Sequence, residues 1–276
     1  MSLKIIVDST ADLTADLKAQ VSVVPLSIHF GEEEFVDGVT ITHEQFYQKL
    51  TNSKDLPRTS QPSPEAFSRA YEQATADGSE AVVLTVAAAL SGTYQSACIA
   101  AEDFPGVHVV DSGTVAIGTG ILAQLAVQLA QEGLPSAEIV RRLEQEKGRV
   151  DVIAMVDTLE YLHKGGRLSR TAAIAGGLLN IKPILAIRSG QITVLGKARG
   201  IKQGYSLLNG EIVASGGADA HSPVLLGYTG ADNTLLERYR QESSDLWPER
   251  TPHTIIGSVI GTHAGPGAVA VAFFKK

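Results

Sequence analysis

Five neutral polar side chains lie close together in LSGTYQSA, residues 90–97, directly after the apolar run AVVLTVAAA. The run predicts a buried strand and the residues after Gly92 predict a helix, so the hydroxyl groups stand at a strand-to-helix turn. A serine nucleophile needs a base within hydrogen-bond reach, and the elbow pattern G-x-S-x-G is absent around Ser91. These residues therefore favour a clamp for a carboxylate or phosphate over a catalytic serine, and plain capping of the helix is the alternative.

Two aspartates also stand at the ends of predicted strands. Asp8 follows an apolar strand in VDST, and Asp111 follows another in VDS. Ligands of open parallel sheets bind beyond the carboxyl ends of the strands, so both side chains are candidates for a ligand site. Both are also suited to capping the helix that follows, which is the simpler interpretation.

Two further segments combine polar residues with turn formers. RTSQPSP, residues 58–64, is either a capped loop before a helix or a second group of hydroxyls facing a ligand. GTHAGPGA, residues 261–268, surrounds His263 with glycines that allow a backbone to approach a ligand closely, although a lone histidine is more often structural. No second histidine lies at a helical interval from His263, so no zinc motif is present and we expect no metal.

A basic segment stands out in a chain whose net charge is −7. LHKGGRLSR, residues 162–170, contains Lys164, Arg167 and Arg170. The segment is either a solvated loop before a helix capped by Ser169 or a positive surface for an acidic partner or a phosphate. The P-loop pattern G-x-x-x-x-G-K-[ST] is absent from the chain, so the segment does not predict a nucleotide site of that kind.

The composition argues against several classes of protein. A net charge of −7 and an aromatic content of 5% argue against nucleic-acid binding, which uses clustered cations and stacking rings. The single cysteine, Cys98, excludes an intrachain disulfide. No apolar run is long enough to span a bilayer and the N-terminal residues lack a signal-peptide layout, so we expect a cytoplasmic protein with at most transient membrane contact.

Short β-branched segments alternate with longer helical patterns, which predicts an α/β fold with a largely parallel sheet. The segments are KIIVD, VSVVPLSIHF, AVVLTV, VHVVDS and DVIAMVD. Residues 116–131 carry no charge and predict a deeply buried helix. Together these patterns predict an N-terminal α/β domain, residues 1–158, with a mainly parallel sheet and flanking helices.

The patterns change after about residue 160. KPILAIRSGQITVLGKARG predicts a β-hairpin that turns at Ser189 and Gly190. HTIIGSVIGTHAGPGAVAVAFFKK predicts two strands joined by the Gly-Pro-Gly loop. A chain of 276 residues is long enough for two modest domains. We predict that residues 159–276 form a C-terminal α/β domain with a mixed sheet.

Eight motifs in a fixed order give the sequence a family resemblance. They are VDSTADL, PRTSQPSPEAF, LSGTYQSA, VVDS, LEYLHKGGRLS, LLNIKPIL, GKARG and GTHAGPGA. Together, from Lys4 to the C-terminus, they resemble the DegV family of bacterial proteins, which includes the FakB subunits of the two-component fatty acid kinase. The resemblance implies a two-domain DegV-like α/β fold that holds one long-chain fatty acid, such as palmitate, stearate or oleate, in a buried tunnel without a cofactor.

The resemblance also implies roles for individual residues. It implies that the fatty acid carboxylate is bound by Thr59, Ser91 and His263. The residues expected to support this site are Ser60, Gly92, Gly265 and Gly267. Lys164 and Arg167 are expected to contact a separate ATP-dependent kinase subunit, which phosphorylates the carboxylate to an acyl phosphate, so the chain itself is not expected to be an enzyme. The residues alone leave open an autonomous hydrolase or phosphotransferase using Ser91, or a sensor of another apolar ligand.

Overall fold

The computed structural model describes residues 3–168 and 180–276. Ser169, the predicted helix cap, and Arg170 lie outside these residues. In chain order the strands are β1 (Leu3–Asp8), β2 (Ser22–Val24), β3 (Ser27–Phe30), β4 (Glu33–Val36), β5 (Arg58–Ser60), β6 (Glu80–Thr85), β7 (Val107–Asp111), β8 (Val150–Met155), β9 (Ile181–Arg188), β10 (Gln191–Arg199), β11 (Val224–Tyr228), β12 (His253–Ile255) and β13 (Val269–Phe274).

The helices that accompany these strands lie in both halves of the chain. In chain order they are α1 (Ala15–Lys18), α2 (His43–Asn52), α3 (Pro64–Thr75), α4 (Thr93–Ala101), α5 (Ile117–Gln131), α6 (Ser136–Glu146), α7 (Glu160–Lys164), α8 (Ile201–Ala214), α9 (Thr234–Glu242) and α10 (Ser258–Ala264).

The strands form three sheets of different kinds. A four-stranded sheet, in the order β2-β1-β6-β7, is parallel throughout. A six-stranded sheet, in the order β10-β9-β8-β13-β11-β12, is mixed, because β12 joins β11 in parallel while the other pairs are antiparallel. A small antiparallel sheet has the order β4-β3-β5. The α/β prediction, with a parallel N-terminal sheet and a mixed C-terminal sheet, is confirmed.

Helix α5 joins the two large sheets into one hydrophobic core. It packs against β1 and β6 of the parallel sheet and against β8, β11 and β13 of the mixed sheet. Its side chains Ile121, Leu122 and Ala126 are completely buried, which confirms the prediction of a buried helix. Burial of each large aliphatic side chain contributes about 1.5–3 kcal/mol of transfer free energy. No helix within the two described ranges is long and apolar enough to cross a membrane.

The domain boundary near residue 158 stays a prediction. The structure adds that β8, which precedes this position, is an interior strand of the mixed sheet, where it pairs with β9 and β13. The hairpin prediction for the following segment is confirmed, since β9 and β10 pair antiparallel around Ser189 and Gly190. Both turn residues have positive φ angles, 49° and 71°, as a two-residue hairpin turn requires.

Two predicted strands differ from the observed structure. The segment VSVVPLSIHF is divided at Pro25 into β2 and β3, which belong to different sheets, because proline offers no N–H to a continuous ladder. The tail predicted as two strands contains α10 between β12 and β13. Gly261 brings this helix against α2, where a Cβ atom would collide with the Tyr47 hydroxyl. The helix is therefore stabilised by a tertiary contact that the local sequence pattern does not reveal.

Candidate functional site

An apolar cavity lies on the face of the mixed sheet that is turned toward the loops after β6 and β7. Alternate residues of neighbouring strands point into it, because side chains alternate between the two faces of a strand. They include Val152 and Ala154 on β8, Leu185 and Ile187 on β9, and Ala270 on β13. The empty space of the cavity, including the solvent at its open mouth, is about 880 Å³.

Few polar side chains reach this cavity. Among the described residues that line it they are Thr10, Thr59, Ser91, Arg167 and His263. The three residues that the family resemblance assigned to carboxylate binding therefore face the same space, although 204 positions separate Thr59 from His263. We call Thr59, Ser91 and His263 the carboxylate clamp, after the role that the family resemblance predicts for them.

His263 and Thr59 form a direct hydrogen-bonded pair. His263 lies in the last turn of α10, and its Nε2 atom is 3.1 Å from the Thr59 Oγ1 atom on β5. Burial, and next the positive charge of Arg167, lower the pKa of His263 to about 4, so the imidazole is neutral at neutral pH.

The surroundings of the other ring nitrogen of His263, Nδ1, indicate which nitrogen carries the proton. Nδ1 is buried, has no hydrogen-bond partner in the described part of the chain, and faces Gly165, where a Cβ atom would collide with it. We assign the proton to Nε2, because a buried N–H without an acceptor is rarer than an acceptor without a donor. Nε2 then donates to Thr59 Oγ1, and the Thr59 hydroxyl keeps its own hydrogen to donate into the cavity.

Ser91 is held by a neighbouring threonine and not by a base. Its Oγ atom is 2.9 Å from Thr93 Oγ1 and accepts a hydrogen bond from the Thr93 backbone N–H at 3.3 Å. Thr93 is completely buried at the first position of α4. The sequence placed Thr93 simply in the first turn of the helix, whereas the structure shows that it orients Ser91. This arrangement suits a hydroxyl that donates a hydrogen bond to an anion.

Gly92 is required for a close approach and not for an unusual turn. Its φ angle is −72°, which any residue adopts, but a Cβ atom there would collide with the Gln61 side chain. Gln61 Nε2 in turn donates to Ser96 Oγ at 3.0 Å. Gln61 thus connects the segment that carries Thr59 with the segment that carries Ser91. The sequence contained this signal, because Gln61 belongs to the quoted motif PRTSQPSPEAF.

The remaining predicted support residues have different surroundings. Ser60 Oγ is 2.9 Å from His29 Nε2 on the exposed side of the small sheet, and Ser60 does not line the cavity. Gly265 has a φ of 71° and a Cβ atom there would collide with the Tyr161 ring. Gly267 has a φ of 82°. The two glycines therefore allow the chain to turn sharply after His263 while α10 packs against α7.

The two aspartates at strand ends hold the loop that leads to Ser91. Asp8 is completely buried and accepts from the Thr10 N–H at 2.8 Å, from the Thr10 hydroxyl at 2.5 Å and from the Val86 N–H at 2.7 Å. Asp111 accepts from the Ala88 N–H at 3.1 Å. Both bonds to the loop fix its backbone a few residues before Ser91, so these carboxylates position the clamp instead of lining the cavity.

A second space, which we call the cationic cleft, adjoins the clamp. Arg58, Lys164 and Arg167 line it, and it shares Thr59, Arg167 and His263 with the apolar cavity. Both residues predicted to contact a partner, Lys164 and Arg167, therefore lie next to the clamp. The empty space of the cationic cleft, including the solvent at its opening, is about 720 Å³.

A cluster that is not apparent from the sequence contains the buried Asp12 and Asp37 and the half-buried His43, and we call it the acid cluster. Asp12 Oδ1 accepts from the Gly257 N–H, at the N-terminal end of α10, at 2.7 Å, and Asp37 lies 3.9 Å from His43 Nε2. Burial raises the pKa of both aspartates, and the pKa of Asp12 lies well above its usual value. Across the described residues no group of three or more acidic, histidine or cysteine side chains is arranged to hold a metal ion.

Comparison with known proteins assigns the chain to a family. A family model described as "Uncharacterised protein, DegV family" matches residues 2–276. A DegV domain-containing protein of Deinococcus radiodurans is 38% identical, over 99% of this chain and 98% of that protein. The chain therefore belongs to the DegV family.

Solved structures share the fold over nearly the whole length of the chain. A Thermus thermophilus structure, described as fatty acid binding of a DegV family protein, has a TM-score of 0.89 and 34% identity, with 99% of this chain and 100% of that chain covered. A stearic acid-binding protein of Eubacterium ventriosum has a TM-score of 0.88 and 27% identity, with 100% and 99% covered. The two-domain DegV-like α/β fold is thereby confirmed.

Proposed function

We propose that this protein binds a long-chain fatty acid, such as palmitate, stearate or oleate, with its tail in the apolar cavity and its carboxylate at Thr59, Ser91 and His263. The observation that carries the proposal is the convergence of the Thr59 and Ser91 hydroxyls, beside the neutral His263, on a cavity lined mainly by apolar side chains. A carboxylate accepts hydrogen bonds only, so these donors match it. The fatty acid binding described for the Thermus thermophilus relative supports the same ligand class.

The energetics of such a ligand fit a cavity of this kind. Burial of about 15 methylenes at about 0.8 kcal/mol each contributes on the order of 12 kcal/mol before association costs are subtracted. A buried carboxylate without hydrogen bonds costs much of this gain. The Thr59 and Ser91 hydroxyls supply hydrogen bonds without placing a competing negative charge in the cavity, and the neutral His263 holds Thr59 in position.

We further infer that the protein presents the bound carboxylate to a separate ATP-dependent kinase. A carboxylate oxygen would form a bond to the γ-phosphorus of ATP, while the bond from that phosphorus to the bridging oxygen breaks and leaves its electrons on ADP. No proton has to move, because the carboxylate is already ionised. The open cleft beside the clamp, with Lys164 and Arg167, supports this reading, as does the absence of a base bonded to Ser91 within the described residues.

Extraction of the purified protein tests the ligand. Protein produced in a bacterial host and extracted with organic solvent should release about one fatty acid per chain, identified by mass spectrometry. An empty extract, together with no binding of added palmitate or oleate, would contradict the proposal.

The same protein tests the alternative of an autonomous enzyme using Ser91. A carrier should hydrolyse no acyl or phosphoryl ester by itself, and Ser91→Ala should weaken palmitate binding by about ten-fold, the cost of one hydrogen bond to a charged group. Thr59→Ser is the matched control, because it keeps the hydroxyl and removes one methyl group. Turnover by the purified chain that disappears in Ser91→Ala would identify an enzyme instead of a carrier.

A further inference from the structure

A third space, which we call the acidic cleft, opens at the N-terminal end of α10. Lys18 and Val39 line it at the protein surface, where both are exposed. Asp12 and Asp37 line it farther inside, with 4% and 3% of their surface accessible. None of its described lining residues lines the apolar cavity or the cationic cleft. The acidic cleft is therefore separate from the carboxylate clamp, which lies at the other end of α10.

The two carboxyl oxygens of Asp12 have different surroundings. Oδ1 accepts a hydrogen bond from the Gly257 N–H at 2.7 Å. Oδ2 is buried and has no hydrogen-bond partner among the residues that the structure describes. A buried polar atom without a partner costs free energy, and a ligand that donates a hydrogen bond removes that cost. Because Asp12 lines the acidic cleft, such a donor has access to it from the cleft.

Gly257 leaves space beside the acid cluster. A Cβ atom at this position would lie only 3.1 Å from Asp12 Oδ1 and 3.1 Å from His43 Nε2. The φ angle of Gly257 is −68°, which any residue adopts, so the glycine is needed for a close approach and not for a turn. Its N–H holds the Asp12 carboxyl group through Oδ1, which fixes the direction of Oδ2.

The charges that line the acidic cleft favour a cationic ligand. Asp37 lies 3.9 Å from His43 Nε2, but burial lowers the pKa of His43, so the imidazole is neutral at pH 7 and offers no charge to balance the carboxylate. Lys18 is the only lysine or arginine among the described residues that line the cleft. Two carboxyl groups thus face one ammonium group, and one more cation would balance the second carboxylate.

We propose that the acidic cleft binds a small aliphatic primary amine, whose ammonium group donates hydrogen bonds to Asp12 Oδ2 and to the Asp37 carboxylate. An ammonium group has three N–H donors and no acceptor, which matches carboxylate oxygens. Leu13 and Val23 also line the cleft and provide apolar contacts for the aliphatic part of the ligand. The site uses no residue of the carboxylate clamp, so it does not depend on the proposed function.

Binding of an amine at this site should release protons. Burial raises the pKa of Asp12 and Asp37, so a bound ammonium group displaces protons from these carboxyl groups to the buffer. Affinity should therefore rise between about pH 7 and about pH 8.5, where an alkylamine is still protonated. Burial keeps His43 and Tyr47 neutral over this range. The titratable and charged groups that face the two carboxyl groups are Asp8 on β1, Lys18 on α1, and His43 and Tyr47 on α2.

Isopentylamine is the probe, and isopentanol is its uncharged counterpart with the same carbon skeleton. The purified full-length chain is titrated with each compound by calorimetry at pH 7 and pH 8.5, in two buffers of different ionisation enthalpy that count the protons released. The variants are Asp12→Asn, Asp37→Asn and Lys18→Gln. Asp16→Asn is the matched control, because Asp16 is exposed on α1 and does not line the cleft. Thermal unfolding followed by circular dichroism checks that each variant is folded.

The expected result is binding that depends on charge. Isopentylamine should bind at least about ten-fold more tightly than isopentanol, with proton release. Asp12→Asn and Asp37→Asn should each weaken the amine by about ten-fold and reduce the proton release, whereas Asp16→Asn should change neither. Lys18→Gln should strengthen the amine by about two-fold, because a like charge at the exposed end of the cleft is removed.

Three results would overturn the inference. They are no binding of isopentylamine by the wild type, equal affinity for isopentylamine and isopentanol, and equal amine affinity in folded Asp12→Asn, Asp37→Asn and Asp16→Asn. None of them affects the fatty acid proposal, which palmitate binding tests at the other end of α10. Conversely, amine binding by a chain that binds no palmitate would leave this site in place while the proposed function fails.

Discussion

Helix α10 has a buried polar group at each end, and the two groups are opposite in character. At its C-terminal end the carboxylate clamp combines two hydroxyls with a neutral imidazole, and Arg167 stands nearby. At its N-terminal end the acid cluster buries the carboxyl groups of Asp12 and Asp37, and Asp12 Oδ2 has no hydrogen-bond partner in the part of the chain that the structure describes. The C-terminal end offers hydroxyl hydrogens to a ligand, whereas the N-terminal end buries carboxyl groups.

The difference shows how a fold can bury polar groups for two purposes. Neutral donors remain stable without a ligand and still receive an anion when it arrives, because hydroxyl groups rotate toward their partners. Buried carboxylates instead reduce their own cost by taking up protons, which is why burial raises their pKa values. The clamp is suited to binding an anion, whereas the acid cluster anchors α10 through the bond from Gly257 to Asp12.

Placing a negative charge in the clamp should have the largest effect on ligand affinity. Ser91→Asp places a negative charge where the carboxylate of the ligand is proposed to lie. Like charges in a buried site repel by several kcal/mol, so palmitate affinity should fall more than about a hundred-fold. Calorimetric titration and lipid extraction measure the loss, and Ser91→Asn is the neutral control of similar size. Equal binding by the Asp and Asn variants would show that no carboxylate binds at Ser91.

Removing the anchor of α10 should lower stability by a smaller amount. Asp12→Ala leaves the buried Gly257 N–H without its acceptor. The free energy of unfolding should fall by about 1–3 kcal/mol in urea denaturation at pH 7. Asp12→Asn keeps an oxygen acceptor and, because burial raises the pKa of Asp12, should lose no stability at pH 7. Loss of equal size in the two variants would mean that the charge, and not the hydrogen bond, stabilises this end of α10.

Neutralising Asp37 should stabilise the protein at neutral pH. Because burial raises the folded-state pKa of Asp37, its contribution to stability is present below its unfolded pKa and is lost as the pH rises through the folded pKa. Asp37→Asn should therefore increase the free energy of unfolding at pH 7.5, with the gain disappearing near about pH 4. Asp103→Asn, at an exposed position, is the control. A gain that does not change with pH would contradict this account.

The smallest expected effect concerns His263, whose imidazole should stay neutral when the pH is lowered from 8 to about 5.5. With its pKa lowered to about 4, its ring signals in NMR spectra should not shift between pH 8 and about 5.5, whereas an ordinary histidine titrates near 6.5. Arg167→Gln should raise this pKa only slightly, because burial is the larger cause and the charge of Arg167 the smaller. His263→Asn identifies the signal. A midpoint near 6.5 would show that the clamp contains an imidazolium group at weakly acidic pH.

The meeting of Thr59, Ser91 and His263 at one cavity agrees with the family resemblance, because these residues lie in the short segments that carry it, and their role in binding stays a prediction. Ser91 and His263 stand beside glycines at predicted turns, and the absence of a base near Ser91 already favoured binding over catalysis. Thr93 and Gln61 were less apparent, because their importance lies in contacts with Ser91 and Gly92 that depend on the packing of α4 against the loop before α3. The acid cluster left no local pattern, since Asp12 and Asp37 are separated by 25 positions of ordinary sequence.

By itself the sequence determined the α/β class, the buried helix α5, the hairpin at Ser189 and the family, because periodicity, turn residues and ordered motifs are local properties. Only the tertiary structure decided that VSVVPLSIHF belongs to two sheets and that the segment before His263 is a helix. It also decided that Arg167 faces the same space as Ser91. These features depend on contacts between residues far apart in the chain, and the spacing of residues along a sequence does not specify which of them will meet.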